Sequence, residues 1–286
     1  MDARFWLIQT FNGVSYGALL FLVGSGLSLI FGVMRIVNLA HGSYFLLGGY
    51  VALSVIWATS SWLLALPVAA MAVAVLGLVM ERVFLRPLGF DPLRQVLLTV
   101  GFAFLLQQAA LDIWSGNNFD ISPPAALTRS VVLGGLYLPL YRVFMIAVAL
   151  AIGLALWLTM EKTRLGATIR ATVDDAQMAR GVGIDTSFIS MLIFALGAFL
   201  AALGGVIGGA FLGIYPGLDF EMLPIAFAVV IIGGMGSLGG AAIGALLVGL
   251  ADTFGKALFP EVSYFTLYAP MALILAVKPT GLFGRE

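Results

Sequence analysis

With 286 residues, 62% of them hydrophobic and only 10% charged, and a mean hydropathy of +1.10, the chain lies outside the range of soluble domains, which run near half apolar and about a quarter charged. A folded chain of this length still exposes roughly a quarter of the surface its unfolded form exposes, so no single core hides this much apolar area from water; lipid is the solvent, and a soluble enzyme is excluded. Fourteen Lys and Arg balance fourteen Asp and Glu, which argues against a nucleic-acid partner, and with no cysteine and one histidine, His41, there is no basis for a disulfide, a thiolate metal site or a histidine zinc site.

A helix needs about 20 apolar residues to cross a hydrocarbon core roughly 30 Å thick. In chain order, Phe5 to Met34 supplies one crossing, and Ile36 to Met80 supplies two with a break at Ala58 to Trp62. Gln95 to Trp114 gives a fourth, Val143 to Met160 a fifth and Thr186 to Leu218 a sixth. Met222 to Ala251 is a long glycine-interrupted region, and Val262 to Val277 is a terminal helix. The expected fold is an all-α polytopic bundle of eight to nine spans, one transmembrane domain over residues 1–286, with a broken Gly-rich hairpin at 233–240. No sequence repeat stands out, although the glycine-rich stretches 13–49 and 197–249 invite a structural one.

Charge sets the expected orientation, because cytoplasmic loops hold an excess of Lys and Arg. Placing 81–94, 161–185 and the tail after Val277 inside gathers ten cations there: Arg35, Arg82, Arg86, Arg94, Lys162, Arg164, Arg170, Arg180, Lys278 and Arg285. The other side keeps Arg4, Arg129, Arg142 and Lys256. An external N-terminus and an internal C-terminus follow, with an odd number of crossings. The first apolar stretch is too long for the core of a cleaved signal peptide and reads as a retained span. The external loop 115–141 contains Asn117, Asn118, Pro123, Pro124 and Gly134-Gly135, a composition of turns.

The internal loop 161–185 is the most informative segment. Ile169, Val173, Ala176 and Arg180 share one side at helical spacing, and Arg170 and Asp174 stand four apart, so the pattern predicts one short amphipathic helix. Gly181 and Gly183 are expected to stop it in a left-handed turn. Such a helix either lies at the lipid interface or projects as a docking element; polar residues interrupt its apolar side too often for strong insertion.

Asp175-Ala176-Gln177 followed by Gly181 resembles the E-A-A-x-x-x-G coupling loop of ABC importer permeases. The longer string, with Arg170-Ala171, Asp174-Asp175, Met178-Ala179 and Gly183-Ile184, is similar to that of branched-chain amino acid permeases of the LivH type. The resemblance continues in Asn12-Gly13-Val14-Ser15-Tyr16-Gly17, Asn38-Leu39-Ala40-His41-Gly42, Gly233 to Gly240 and Lys278 to Gly284. Gln177 departs from the general loop, and no Leu-Pro pair follows the glycine. The resemblance implies an inner-membrane permease subunit that works with a second permease of LivM type, two ATP-binding subunits of LivG and LivF type and an external solute-binding protein, and that moves branched-chain or related amino acids. It implies coupling to the ATPase through Arg170, Asp174, Asp175, Ala176, Ala179, Gly181 and Gly183. ATP and magnesium then belong to the partners, with no cofactor in this chain; the sequence agrees, since it holds no G-x-x-x-x-G-K-[ST] phosphate loop.

Polar residues at membrane depth are functional candidates. Asn12, Ser15 and Gln107 are the expected path-lining residues, while Asp112 and Asp252 are expected near the outer surface, in an interfacial or a pore role. Asn38 and His41 are expected near the cytoplasmic interface, capping the next helix and packing the loop, with Gly236 and Ser237 as a second loop or gate element. Asp120, Asp219 and Glu221 are either contacts for the binding protein or solvated turns. Two other functions fit the composition: a stand-alone secondary carrier or channel, which calls for paired intramembrane charges, and an intramembrane enzyme using His41, which calls for a second reactive group at its depth.

Overall fold

The structure is a computed structural model that describes residues 2–89, 91–133 and 135–284; Gly134 and Arg285 lie outside the described residues. The apolar stretches become helices: α1 (Ala3–Met34), α2 (His41–Thr59), α3 (Trp62–Val79), α4 (Pro92–Trp114) and α5 (Leu140–Lys162). The helix α3 runs on through a wide turn at Met80–Leu85 and a tight one at Arg86–Leu88. Two short helices follow, α6 (Arg164–Asp174) and α7 (Ala176–Gly181), then α8 (Thr186–Leu212), α9 (Leu218–Gly233), α10 (Leu238–Leu258) and α11 (Ser263–Val277). Short polar side chains mark many of the starts. Ser61, Asp91, Asp185 and Ser237 accept from the first-turn N–H groups of α3, α4, α8 and α10, which otherwise lack partners.

Seven of these helices are long and apolar enough to cross a bilayer by themselves. The expected broken region 222–251 resolves into two helices joined at Gly234–Ser237, with α9 of 16 and α10 of 21 residues. With α9 and α11 the chain passes back and forth nine times among the described residues, so Ala3 and Val277 lie at opposite ends. The sense of each pass is visible in contacts. Gly13 and Gly17 of α1 meet Gly249 and Ala245 of α10, so those helices run antiparallel, while Gly32 meets Gly236 at the far end. One end carries α6, α7 and nine of the ten cations assigned to the inside, Arg285 being outside the described residues; the other carries Arg4, Arg129, Arg142, Lys256 and a β-hairpin, Ser130–Leu133 with Leu136–Pro139. The charge segregation read from the sequence is therefore spatial.

The core is formed by α1, α2, α8 and α10, where backbones touch. A β-carbon on Gly205 would strike the Phe45 carbonyl, and one on Gly48 would strike Ala202; only glycine permits that approach. Two units of this core repeat with opposite sense. The helix α1 is followed by an extended break at 35–40 and then α2, and the helix α8 by a break at 213–217 and then α9. Tyr44–Phe194 and Gly48–Ala202 place α2 parallel to α8, whereas Gly24–Val229 and Gly32–Gly236 place α9 parallel to α1. The glycine-rich stretches 13–49 and 197–249 thus do hide a structural repeat.

Candidate functional site

Both breaks lead the chain back into the bundle. After α1, Arg35 adopts a left-handed conformation (φ 54°), and the segment that follows climbs until the His41 ring lies 3.0 Å from the Val23 carbonyl. Val23 is eleven residues before the end of α1, so His41 sits roughly 16 Å inside that end at 1.5 Å per residue. His41 is fully buried. This corrects the expectation of an interfacial histidine: the chain turns inward rather than crossing at the surface. The carbonyl fixes Nε2 as the protonated nitrogen, and Nδ1 has no hydrogen-bond partner among the described residues. The helix α2 starts from Ala40 with no side-chain cap, so Asn38 does not cap it as expected; its Oδ1 instead accepts from Ala40 N–H at 3.1 Å, while Leu39 N–H donates to Thr99 Oγ1 of α4 at 3.2 Å.

The second break brings Asp219 to the same depth. Its carboxylate was expected outside; it is 2% exposed and accepts from Ser43 Oγ at 3.1 Å. Gly217 (φ 98°) turns the chain inward, and Asp219 then occupies the first turn of α9, where a carboxylate is favoured by the unpaired N–H groups and the helix dipole. Gly42 of α2 abuts the Asp219 backbone with no room for a β-carbon. The N-termini of two discontinuous helices therefore meet inside the bundle, the arrangement from which membrane transporters build paths. Ser43 and Thr99 escaped the sequence reading, because nothing local signals a hydrogen bond between residues 176 apart. Tyr44 did as well; its hydroxyl donates to Met80 Sδ at 2.7 Å.

The other expected polar residues scatter. Asn12 lies at the hairpin end, accepting from Arg142 of α5, whose guanidinium stands 5.0 Å over the Phe211 ring. Ser15 is fully buried and donates to its own helix at Phe11 O. Gln107 is half-buried on α4. Asp112 is exposed and accepts from Gln108, and Asp252 is buried and paired with Lys256 at 2.8 Å. Gly236 (φ 80°) packs on Gly32, and Ser237 caps α10. Asp120 is exposed beside Gly213, and Glu221, also exposed, accepts from Tyr215 at 2.8 Å. No group of three or more His, Asp or Glu able to hold a metal occurs among the described residues.

The loop 161–185 forms two helices rather than the single one expected. The break is at Asp175, whose extended backbone (φ −151°) starts α7 and whose Oδ1 accepts from Gln177 and Met178 N–H, both at 2.9 Å. An Asp this good at capping interrupts the continuous face drawn through Ile169 and Arg180. The helix α6 is held down: Ile169 is buried with Leu29 of α1, Leu156 of α5 and Ile189 and Ile193 of α8, Gly166 fits against the last carbonyls of α5, and Arg170 donates to the Met160 carbonyl. In α7, Ala179 is buried, whereas Met178 and Val182 are 66% and 71% exposed. The stop is a Schellman turn with Ile184 N–H on Ala179 O and Gly183 N–H on Arg180 O. Gly183 takes the left-handed position (φ 88°); Gly181 is helical, exposed and has open space where a β-carbon would go.

Residues 9–275 match the family described as branched-chain amino acid transport system / permease component. Relatives cover nearly the whole chain. The high-affinity branched-chain amino acid permease BraD of Pseudomonas aeruginosa is 30% identical over 98% of this chain and 96% of its own length. LivH of Escherichia coli (strain K12) is 32% identical over the same shares. The chain belongs to this permease family. It is a multi-pass membrane protein, a transport subunit of the ABC type rather than an enzyme, and its relatives work within multi-subunit transport systems. The family also has members named for other cargo: the autoinducer 2 import permease LsrC of Salmonella paratyphi B is 27% identical over 88% of this chain and 72% of its own.

Proposed function

We propose that this permease imports branched-chain or closely related amino acids across a bacterial inner membrane, paired with a second permease of LivM type, driven by ATP-binding subunits of LivG and LivF type, and fed by an external solute-binding protein. The substrate class rests on the BraD and LivH relatives, which align end to end with this chain. On this reading the cation-rich end that carries α6 and α7 is cytoplasmic, together with the C-terminus, and the hairpin end with the N-terminus is external. Asp120, exposed in the loop at that end, is offered to the binding protein.

The carrying observation is α7: a capped helix, seated on a buried element that joins α1, α5 and α8, presenting Met178, Val182 and a bare Gly181 to a partner. A docked ATPase that closes on ATP pushes this element, and α5 and α8 move with it. Coupling then involves Arg170 and Asp174 at the seat, Asp175 as the cap, Ala176 and Ala179 as packing, and Gly181 and Gly183 as the surface and the stop. Gly181→Trp tests the reading. The side chain has space within the chain, so the permease is expected at normal abundance, while co-purification with the ATP-binding subunits and ATP-driven leucine uptake in proteoliposomes fall at least tenfold. Uptake by this chain reconstituted alone, without nucleotide, overturns the reading.

A further inference from the structure

The helix α5 packs along α1 but leaves a cleft of about 450 Å3 between itself and α10. Its floor is built from small residues, Gly17 and Ala18 of α1, Ala149 and Gly153 of α5 and Ala242 of α10, and none of its lining side chains carries a charge or a hydroxyl. It extends along α5 from Ile146 to Trp157, a length of roughly 16 Å at 1.5 Å per residue. A narrow, wholly apolar cleft of that length and volume suits a single extended hydrocarbon chain. One end of the cleft bears a cation. Lys162, exposed at the end of α5, is held with Nζ 5.8 Å from the Trp157 ring centroid, beside the exposed Glu161. A tryptophan and a lysine about one and a half turns apart at a helix end mark the headgroup level of a bilayer, and a cation there complements a lipid phosphate.

We propose that this cleft holds an acyl chain of an anionic phospholipid from the leaflet at the α6–α7 end, with its phosphate at Lys162. The lipid then fills the space that α5 leaves open and ties the end of α5 to the membrane, two residues from the Met160 carbonyl that receives Arg170.

Because the chain has no cysteine, Leu150→Cys, at a cleft position 69% exposed, can be labelled with benzophenone maleimide in membranes containing phosphatidylglycerol and the assembled transporter. Illumination is expected to add the mass of a phospholipid to the labelled peptide of this chain. Gly153→Leu, and the milder Ala149→Val, are expected to lower that adduct at least fivefold and about twofold while the complex still elutes intact. Lys162→Ala is expected to shift the adduct from phosphatidylglycerol toward phosphatidylethanolamine. Crosslinking to another subunit, an adduct unaffected by both filling variants, or a lipid class unmoved by Lys162→Ala overturns the proposal.

Discussion

The helices α1 and α5 are nearly equal in hydropathy, 2.1 and 2.5 over their most apolar windows, yet 72% of that window is buried in α1 and 17% in α5. The same contrast separates α8 from α4, with 67% and 17% buried. Hydropathy says only that a helix prefers lipid or protein to water; it does not choose between them. The choice follows glycine at points of closest approach. In α1 and α8, Gly13, Gly17, Gly26, Gly197 and Gly205 lie against the backbones of neighbours, whereas Gly101 of α4 has nothing within 4 Å of where a β-carbon would be. A peripheral span can hold a glycine without using it.

Three single substitutions and one double variant sharpen this contrast. The largest effect is expected from Gly205→Leu, which forces α2 and α8 apart where the Phe45 carbonyl leaves no room; overpacking of this kind costs about 1–3 kcal/mol or more, and the measured outcome is loss of most of the folded permease in a detergent-extraction and size-exclusion assay. Next comes Asp219→Ala. It strands the buried Ser43 hydroxyl and removes the carboxylate from the start of α9, for an expected cost of about 1–3 kcal/mol, read as a lower unfolding midpoint of the purified complex and reduced leucine uptake. Ser43→Ala in the Asp219→Ala background is expected to add little, because the pair is already broken. Smallest is Gly101→Leu, expected to change the unfolding midpoint by no more than about 0.5 kcal/mol equivalent; a large loss there would mean that a partner subunit packs against α4.

The two parts of the site were legible to different degrees. The loop 161–185 was readable because caps and stops are local: Asp175, Gly181 and Gly183 stand within a few residues of the groups they serve, although the capping strength of Asp175 split the expected helix in two. The mid-bundle junction was not. Asn38, His41 and Asp219 stand out as polar residues in apolar surroundings, but the structure corrects the depth expected for His41 and Asp219, since a left-handed Arg35 and Gly217 send the chain inward and no hydropathy window detects a short extended segment that turns back.

What the amino-acid order alone determined is that the chain lives in lipid, where its apolar stretches become helices, where Ser and Asp start them, and which end collects the cations. These depend on composition and on neighbours along the chain. The tertiary structure alone decided which spans are core, that α2 and α9 begin inside the bundle with their first turns in contact, and that Ser43 meets Asp219. Those outcomes depend on backbones far apart in the chain approaching until only hydrogen fits between them, a distance that local sequence does not encode.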